Sequence, residues 1–453
     1  MKRMKRTDFS AGDRVEIVTD NSTAVGIIMP NETEKVVVKL ESGYNIGIDP
    51  DTIKSMTIIE RYQSSSLKPS GAQEKTKGRK KGEKLTANKD LKNVALLHTG
   101  GTIASKVDYR TGGVVARFEP EEILGLFPEL RDIISIDSRL IGNMWSEDIR
   151  FAHLQIIAKD VIKEVKRGVA GIIITIGTDF MAIIAAGLAF MLQNVPIPVI
   201  LVGAQRSSDR GSSDAAVNLI CAAEFIAQTE FKGVAICMHE TQSDVSCFIL
   251  HPCTTRKMHS SRRDAFRPIN TSAIARINYE NREIVWLQNK NEFAQRKEKF
   301  KPLLKMEEKV GLIKTHPNMF PEQFASYKGF KGLVIEGSGL GHAPTGVPNK
   351  EAKIHAKINA ALQKLIASGT VVVMTTQTIY GAVQMQVYSR GRELVTSGVI
   401  PCKALSETAF VKLAWLLGNY PKEMKKPEKA RELIERDFCH EMFYRVEDNT
   451  YLN

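Results

Sequence analysis

The sequence predicts an α/β fold of two lobes, each on a mostly parallel sheet, preceded by a small antiparallel β-barrel. Three observations carry this. From Asn93 onward, short apolar runs alternate with longer helical stretches, the rhythm of βαβ units. Residues 9 to 60 instead alternate apolar and polar positions in short bursts parted by turn residues, the period of half-buried strands. Between them, from Gln63, composition shifts abruptly to Ser, Gly and Lys.

In the barrel, the bursts at 14–18, 24–28, 35–40, 44–48 and 56–59 read as strands, with turns at Asp20-Asn21-Ser22, Pro30-Asn31, Ser42-Gly43 and Pro50-Asp51. Residues 63–92 have no apolar periodicity and read as an exposed, flexible, basic linker. From Arg61 to Lys92 ten basic residues face three acidic ones, a net +7 of the whole chain's +12. Such a run is most often a solvated connection, yet its charge density would also attract a polyanion such as RNA. The first lobe, 93–290, has strands at 94–97, 171–176, 198–203 and 233–238, a further short one at Asp132 to Asp137, and helices near 147–167, 181–193 and 213–227. A charged, poorly patterned stretch to Glu308 leads into the second lobe, 291–453. There strands at 310–314, 332–336 and 370–376 alternate with helices near 321–328, 350–367 and 405–417. The expected domains are therefore 1–62, 63–92, 93–290 and 291–453.

With 453 residues, 43% apolar and 25% charged, the chain has the make-up of an ordinary soluble protein with ample material for a core. Its longest apolar runs are too short to span a bilayer, and the basic start is not followed by an apolar segment, so a cytoplasmic protein without signal peptide is expected. Six scattered cysteines show no CxxC. They argue against a disulfide framework or a zinc ribbon, and the His251 and His440 neighbours of Cys253 and Cys439 do not complete a four-ligand metal pattern.

Chemistry concentrates at strand ends. The run Leu96-Leu97-His98-Thr99-Gly100-Gly101-Thr102 turns sharply after a strand and presents the Thr102 hydroxyl where an open α/β sheet holds its ligands. The glycines leave N–H groups uncovered for an oxyanion. Alone the segment could equally be a structural turn or a phosphate loop, and His98 reads as a packed histidine. Ile172 to Asp179 has the same form, ending in Gly177-Thr178-Asp179, where an aspartate by itself commonly caps a helix. A third segment, Thr254 to Asp264, is basic and rich in hydroxyls. Together the three supply a hydrolytic site that needs neither metal nor histidine. A threonine hydroxyl must lose its proton to become a nucleophile; a lysine shielded from water can relay that proton, and an aspartate can orient the lysine.

Thr99-Gly100-Gly101-Thr102-Ile103-Ala104, Gly177-Thr178-Asp179 and Lys257 resemble the two threonine motifs and the lysine of the bacterial-type L-asparaginase family. The resemblance covers Asn93 to the C-terminus, through Trp145-Ser146-Glu147-Asp148, Gly203-Ala204-Gln205-Arg206, Arg256-Lys257-Met258-His259 and Glu336-Gly337-Ser338-Gly339. It is closer still to that family's archaeal branch, the GatD subunits of Glu-tRNA(Gln) amidotransferases, which the N-terminal barrel separates from free asparaginases. It implies a two-lobed asparaginase-like fold, Thr102 as nucleophile on a glutamine carboxamide, and Thr178, Asp179 and Lys257 as the second catalytic group. It also implies Tyr109 on a flap over the site, and Ser146 and Glu147 holding the substrate's α-carboxylate and α-amino groups. Ammonia would pass to a larger amidotransferase subunit (GatE-like) that binds ATP and magnesium and acts on misacylated Glu-tRNA(Gln). A homodimer within a heterotetramer is implied, with no cofactor in this chain, whose Gly337-Ser338-Gly339-Leu340-Gly341 lacks the lysine of a P-loop. Where the family usually reads His-Gly-Thr-Asp-Thr-Met with a later threonine, this chain has Ile176, Phe180 and Ile184. Phe180 and Ile184 are expected on one helix face, making a drier pocket beside Thr178. A free-standing L-asparaginase and a catalytically silent tRNA-binding or assembly subunit are the alternative readings. One methylene separates glutamine from asparagine, and pocket depth is not legible in sequence.

Overall fold

The computed structural model describes residues 9–20, 22–29, 35–40, 45–61, 91–101, 105–107, 114–116, 127–206, 213–294 and 298–445. The stretch 62–90, which holds nearly all of the expected linker, lies outside them.

The N-terminal region forms one five-stranded antiparallel sheet: β1 (Arg14–Thr19), β2 (Thr23–Ile28), β3 (Val36–Leu40), β4 (Asn45–Ile48) and β5 (Ile53–Glu60), in the order β4-β3-β2-β1-β5. Val15, Ile17 and Val38 point to its small core, as the alternation requires, and register shifts bend β1 along β5.

The first large sheet has eight strands. Five run parallel: β9 (Ser135–Leu140), β6 (Asn93–His98), β10 (Gly171–Thr175), β11 (Pro198–Val202) and β12 (Gly233–His239). β13 (Ser246–Leu250), β16 (Ala275–Asn278) and β17 (Ile284–Trp286) then extend it antiparallel, so the sheet is mixed. The strand expected at Asp132 to Asp137 begins later: Leu130–Ile133 is a single helical turn, and pairing with β6 starts at Ser135. β7 (Ser105–Val107) pairs with β8 (Val114–Ala116), and β14 (Thr255–Lys257) with β15 (Phe266–Pro268), as separate hairpins. The second lobe holds four parallel strands, β18 (Val310–Lys314), β19 (Gly332–Gly337), β20 (Val371–Thr376) and β21 (Ile400–Pro401).

Helices cover the sheets according to their apolar stripes. In α1 (Phe151–Arg167), Leu154, Ile157, Ala158 and Val161 fall at helical spacing and are buried, and Gly168 ends the helix at a φ of 80°. α2 (Met181–Met191) is apolar on every side because it is enclosed on every side. It lies between the first lobe and α5 (Ser406–Asn419) of the second, where Phe190 stacks on Trp415 at 5.7 Å. On the opposite face, α3 (Ala215–Gln228) buries Val217, Leu219, Ile220 and Phe225 against β11, β12 and β13. A helix α4 (Ile354–Ala367) packs on the second sheet, and α6 (Pro427–Glu435) precedes a tail pinned by the buried Lys412–Glu441 pair.

Two polar ties join the lobes beside the hairpin that carries Lys257. Arg256 meets Glu407 of α5 at 2.8 Å. Asn270 bonds both the N–H and the carbonyl of Gly381, at 2.8 and 2.9 Å.

Candidate active site

Four glycines let the carboxyl ends of β6, β10 and β11 close on one another. Gly100 and Gly101 take positive φ, 106° and 84°, which a side chain would resist. A Cβ on Gly101 would lie 2.3 Å from the Gly177 nitrogen, and one on Gly100 2.7 Å from the Met144 nitrogen. Gly177 in turn abuts Ser146, and a Cβ on Gly203 would stand 2.7 Å from the Thr178 Cγ2. Hence the turn leading to Thr102, the loop of Ser146 and Glu147, and the Gly177–Asp179 turn converge at one place, the ligand-binding end of a parallel sheet. Thr102 itself and Tyr109 lie outside the described residues.

The third segment arrives from 78 residues further along the chain. On β14, Lys257 extends its ammonium to the Thr178 Oγ1 at 2.9 Å and to the Asp179 Oδ1 at 2.7 Å. Lys257 is 13% exposed and Thr178 is buried, whereas the Asp179 carboxylate stands 64% exposed at the mouth. These bonds use two of the three ammonium hydrogens, and Thr178, accepting from lysine, keeps its own hydroxyl hydrogen to donate. Asp179 does not cap the following helix: Phe180 occupies that position, without a side-chain bond, and the aspartate turns to lysine instead.

Ser146 is buried, with its Oγ accepting from the Phe180 N–H and donating to Glu147 Oε2, both at 3.3 Å. Glu147 is exposed beside it. Thus Ser146, Glu147, Thr178, Asp179 and Lys257 come together, and the described chain breaks off at Gly101, packed against Gly177.

Phe180 and Ile184 do not share a face. Phe180 precedes α2 and is 43% exposed, while Ile184 and Ile176 are sealed in the apolar core. The Ile184 N–H makes the first helical bond to the carbonyl of Phe180, which stands at the cap with its side chain in solvent. His98 is buried, its ring between the Thr175 hydroxyl at 2.7 Å and the Ser138 hydroxyl at 2.9 Å, and burial pushes its pKa down to about 4. Its two partners tie β6 to its neighbours β10 and β9.

Elsewhere, His251 and His440 bring their rings to 5.0 Å beside a small cavity also lined by Cys439. Among the described residues no set of three or more His, Cys, Asp or Glu is placed to hold a metal ion, and no helix is long and apolar enough to cross a membrane.

Comparison with known proteins matches three family models in order along the chain. They are the GatD N-terminal domain over 9–59, the asparaginase N-terminal domain over 93–292, and the glutaminase/asparaginase C-terminal domain over 309–433. The GatD subunit of the glutamyl-tRNA(Gln) amidotransferase from Methanococcus maripaludis is 42% identical over 95% of this chain and 97% of its own length. Its counterpart from Pyrococcus furiosus is 39% identical over 99% and 98%. Among solved structures, the thermostable L-asparaginase from Thermococcus kodakarensis is similar with a TM-score of 0.66 and 30% identity, covering 77% of this chain and 99% of that one. A probable cytoplasmic L-asparaginase from Campylobacter jejuni gives 0.60 and 25%, over 76% and 99%. An asparaginase-like pair of lobes behind an antiparallel N-terminal sheet, matched along nearly its whole length, places this chain in the GatD family of glutamyl-tRNA(Gln) amidotransferase subunits.

Proposed function

We propose that this chain hydrolyses glutamine to glutamate and ammonia, as the glutaminase subunit of a tRNA-dependent amidotransferase. The observation that carries the reading is the contact of Lys257 with Thr178 and Asp179 at the strand ends where Gly101 meets Gly177. In this reading the Thr102 hydroxyl attacks the carboxamide carbon, and the oxygen that becomes negative is met by nearby N–H donors. The leaving nitrogen takes up a proton and departs as ammonia, leaving an ester on Thr102. Water, giving its proton to the Thr178–Lys257–Asp179 group, then cleaves the ester to glutamate. Ser146 and Glu147 hold the α-carboxylate and α-ammonium groups, with Glu147 supplying the charge that an ammonium requires, and Tyr109 closes over them.

A larger subunit, with ATP and magnesium, would consume the ammonia on Glu-tRNA(Gln); this chain would need no cofactor of its own and would pair with a second copy in a cytoplasmic heterotetramer. We divide the chain at 62, 92 and 290 accordingly. The test is ammonia release from glutamine by wild type and by Thr102→Ala, with and without the partner and glutamyl-tRNA. Release abolished in the variant, and raised in wild type by the partner and tRNA, is expected; unchanged release from Thr102→Ala sinks the proposal. The similarity to solved L-asparaginases supports a second reading, hydrolysis of free asparagine without partner or tRNA, which the same assay with asparagine decides.

A further inference from the structure

Behind the site runs a polar circuit, buried from Asp214 to His239 and reaching solvent at Asp244, that begins at one wall of the Thr178 pocket and returns at the other. Gly203, packed against Thr178, has its carbonyl held by the Asn218 Nδ2 at 3.0 Å, and Asp214 takes the next backbone, accepting from the Gln205 N–H at 3.0 Å and the Arg206 N–H at 3.1 Å. Asn218 Nδ2 also bonds Asp214 at 3.2 Å, so both amide hydrogens have acceptors and the Asn218 Oδ1 is left to accept. It meets the His239 Nδ1 at 2.6 Å. The other ring nitrogen of His239 faces the Asp244 Oδ1 at 3.0 Å. His239 is fully buried, and both of its ring nitrogens are engaged, one by Asn218 and one by Asp244.

From Asp244 the circuit crosses to the Lys257 hairpin. Arg263, in that hairpin's turn, bonds Asp244 at 2.6 Å and also the Gln242 carbonyl. Gln242 reaches Asp264 at 2.5 Å, and Asp264 is gripped by Arg262 and Arg267, each at 2.9 Å. The turn so clamped closes β14 and β15, which deliver Lys257 to Thr178.

We propose that His239 is a positioning residue: by joining Asn218 to Asp244 it locks the Gly203 wall and the Lys257 hairpin in one register, so that the lysine ammonium lands on the Thr178 hydroxyl. It touches no substrate. The consequence for activity rests on the glutaminase reading above; the consequence for Lys257 does not.

The experiment therefore has two arms on the full chain. In the first, the chain without substrate is trace-acetylated with acetic anhydride, and Lys257 is quantified by peptide mass spectrometry against exposed Lys429. Asp244→Asn, at an exposed position, is expected to raise Lys257 labelling several-fold at unchanged melting temperature, and His239→Gln is expected to raise it as well. In the second, glutamine turnover with the partner subunit is expected to fall about tenfold in kcat for each variant, with KM within about twofold, since small misplacements cost rate more than binding. The double variant is expected to lose no more than the worse single one, as members of one network do. Unchanged Lys257 labelling in folded Asp244→Asn, or losses that multiply in the double variant, overturns the proposal. A wild type inactive on glutamine whose labelling still responds overturns the glutaminase reading alone.

Discussion

Two lysine–carboxylate pairs in this molecule have the same contact length and opposite surroundings. Lys257 meets Asp179 at 2.7 Å with the carboxylate 64% exposed, and Lys412 meets Glu441 at 2.7 Å with both side chains wholly buried. The sealed pair is saturated: Lys412 also donates to the carbonyls of Ile434 and Arg436, and Glu441 accepts from the N–H groups of Phe438 and Cys439. Burial pushes the Glu441 carboxyl up, and the Lys412 charge together with the hydrogen bonds from Asp437, Lys412 and the Cys439 N–H holds the group below its ordinary value. Such a pair fixes one conformation of the tail. The open pair has donors and lone pairs to spare and can exchange partners during a reaction. Contact distance alone does not separate a structural ion pair from a reactive one; the number of remaining hydrogen-bond valences and their access to water do.

The largest expected effect tests the open pair. Lys257→Met should lower glutamine hydrolysis by at least about a thousandfold, because a proton relay and a charge partner go together. Its melting temperature should stay close to wild type, since the Asp179 carboxylate left behind stands 64% exposed to water. A large loss of melting temperature would erase the contrast. Lys412→Met should do the reverse, destabilising the fold by about 3–5 kcal/mol in denaturant titration through the stranded Glu441 charge. Replacing both partners by apolar residues, Lys412→Met with Glu441→Leu, should recover most of that loss.

A third prediction uses a buried group in neither pair. His98 titrates near 6.5 in an unfolded chain and about 4 in the fold, so the unfolded chain binds the additional proton first. Stability is therefore full above pH 6.5 and is lost as pH falls toward 4, by about 3 kcal/mol. In His98→Gln, unfolding curves at pH 7 and pH 4 should lie closer together than in wild type, and an equal separation refutes the assignment. The smallest effect concerns the exposed ring at the mouth of the open pair: Phe180→Thr should alter KM for glutamine by a few-fold, leaving stability within about 0.5 kcal/mol.

What can be read from sequence follows the range over which each signal acts. The parallel strands β6, β10, β11, β12, β19 and β20 announce themselves as largely apolar runs, whereas β9, with Asp137, Ser138 and Arg139, does not, and the Gly100-Gly101 and Gly177 turns show as breaks at strand ends. The strands Ser246–Leu250, Ala275–Asn278 and Ile284–Trp286 are not legible because they are short, with pairing partners set by the sheet edge. Lys257 has no local mark; only the family resemblance singles it out from the chain's other basic residues. Asp214, Asn218, His239 and Asp244 give no signal at all. Each is bland in its own segment and acquires meaning when β11, α3 and β12 stack. The helix α2 opens at Met181 and not at Asp179, enough to turn Phe180 from core to solvent.

The hairpin of β14 and β15 also sets a time at which the chain becomes competent. Synthesis proceeds from the N-terminus, and parallel pairing of β6 with β10 already waits for some 75 residues between Leu97 and Ile174 to be made. Lys257 comes later still, and its strand is paired only once Pro268 is available. A nascent chain still short of Lys257 thus carries both strand-end turns and no lysine between them. Such a chain lacks the Lys257 contacts to Thr178 and Asp179, and the strand-end cluster is complete only once β14 has been made.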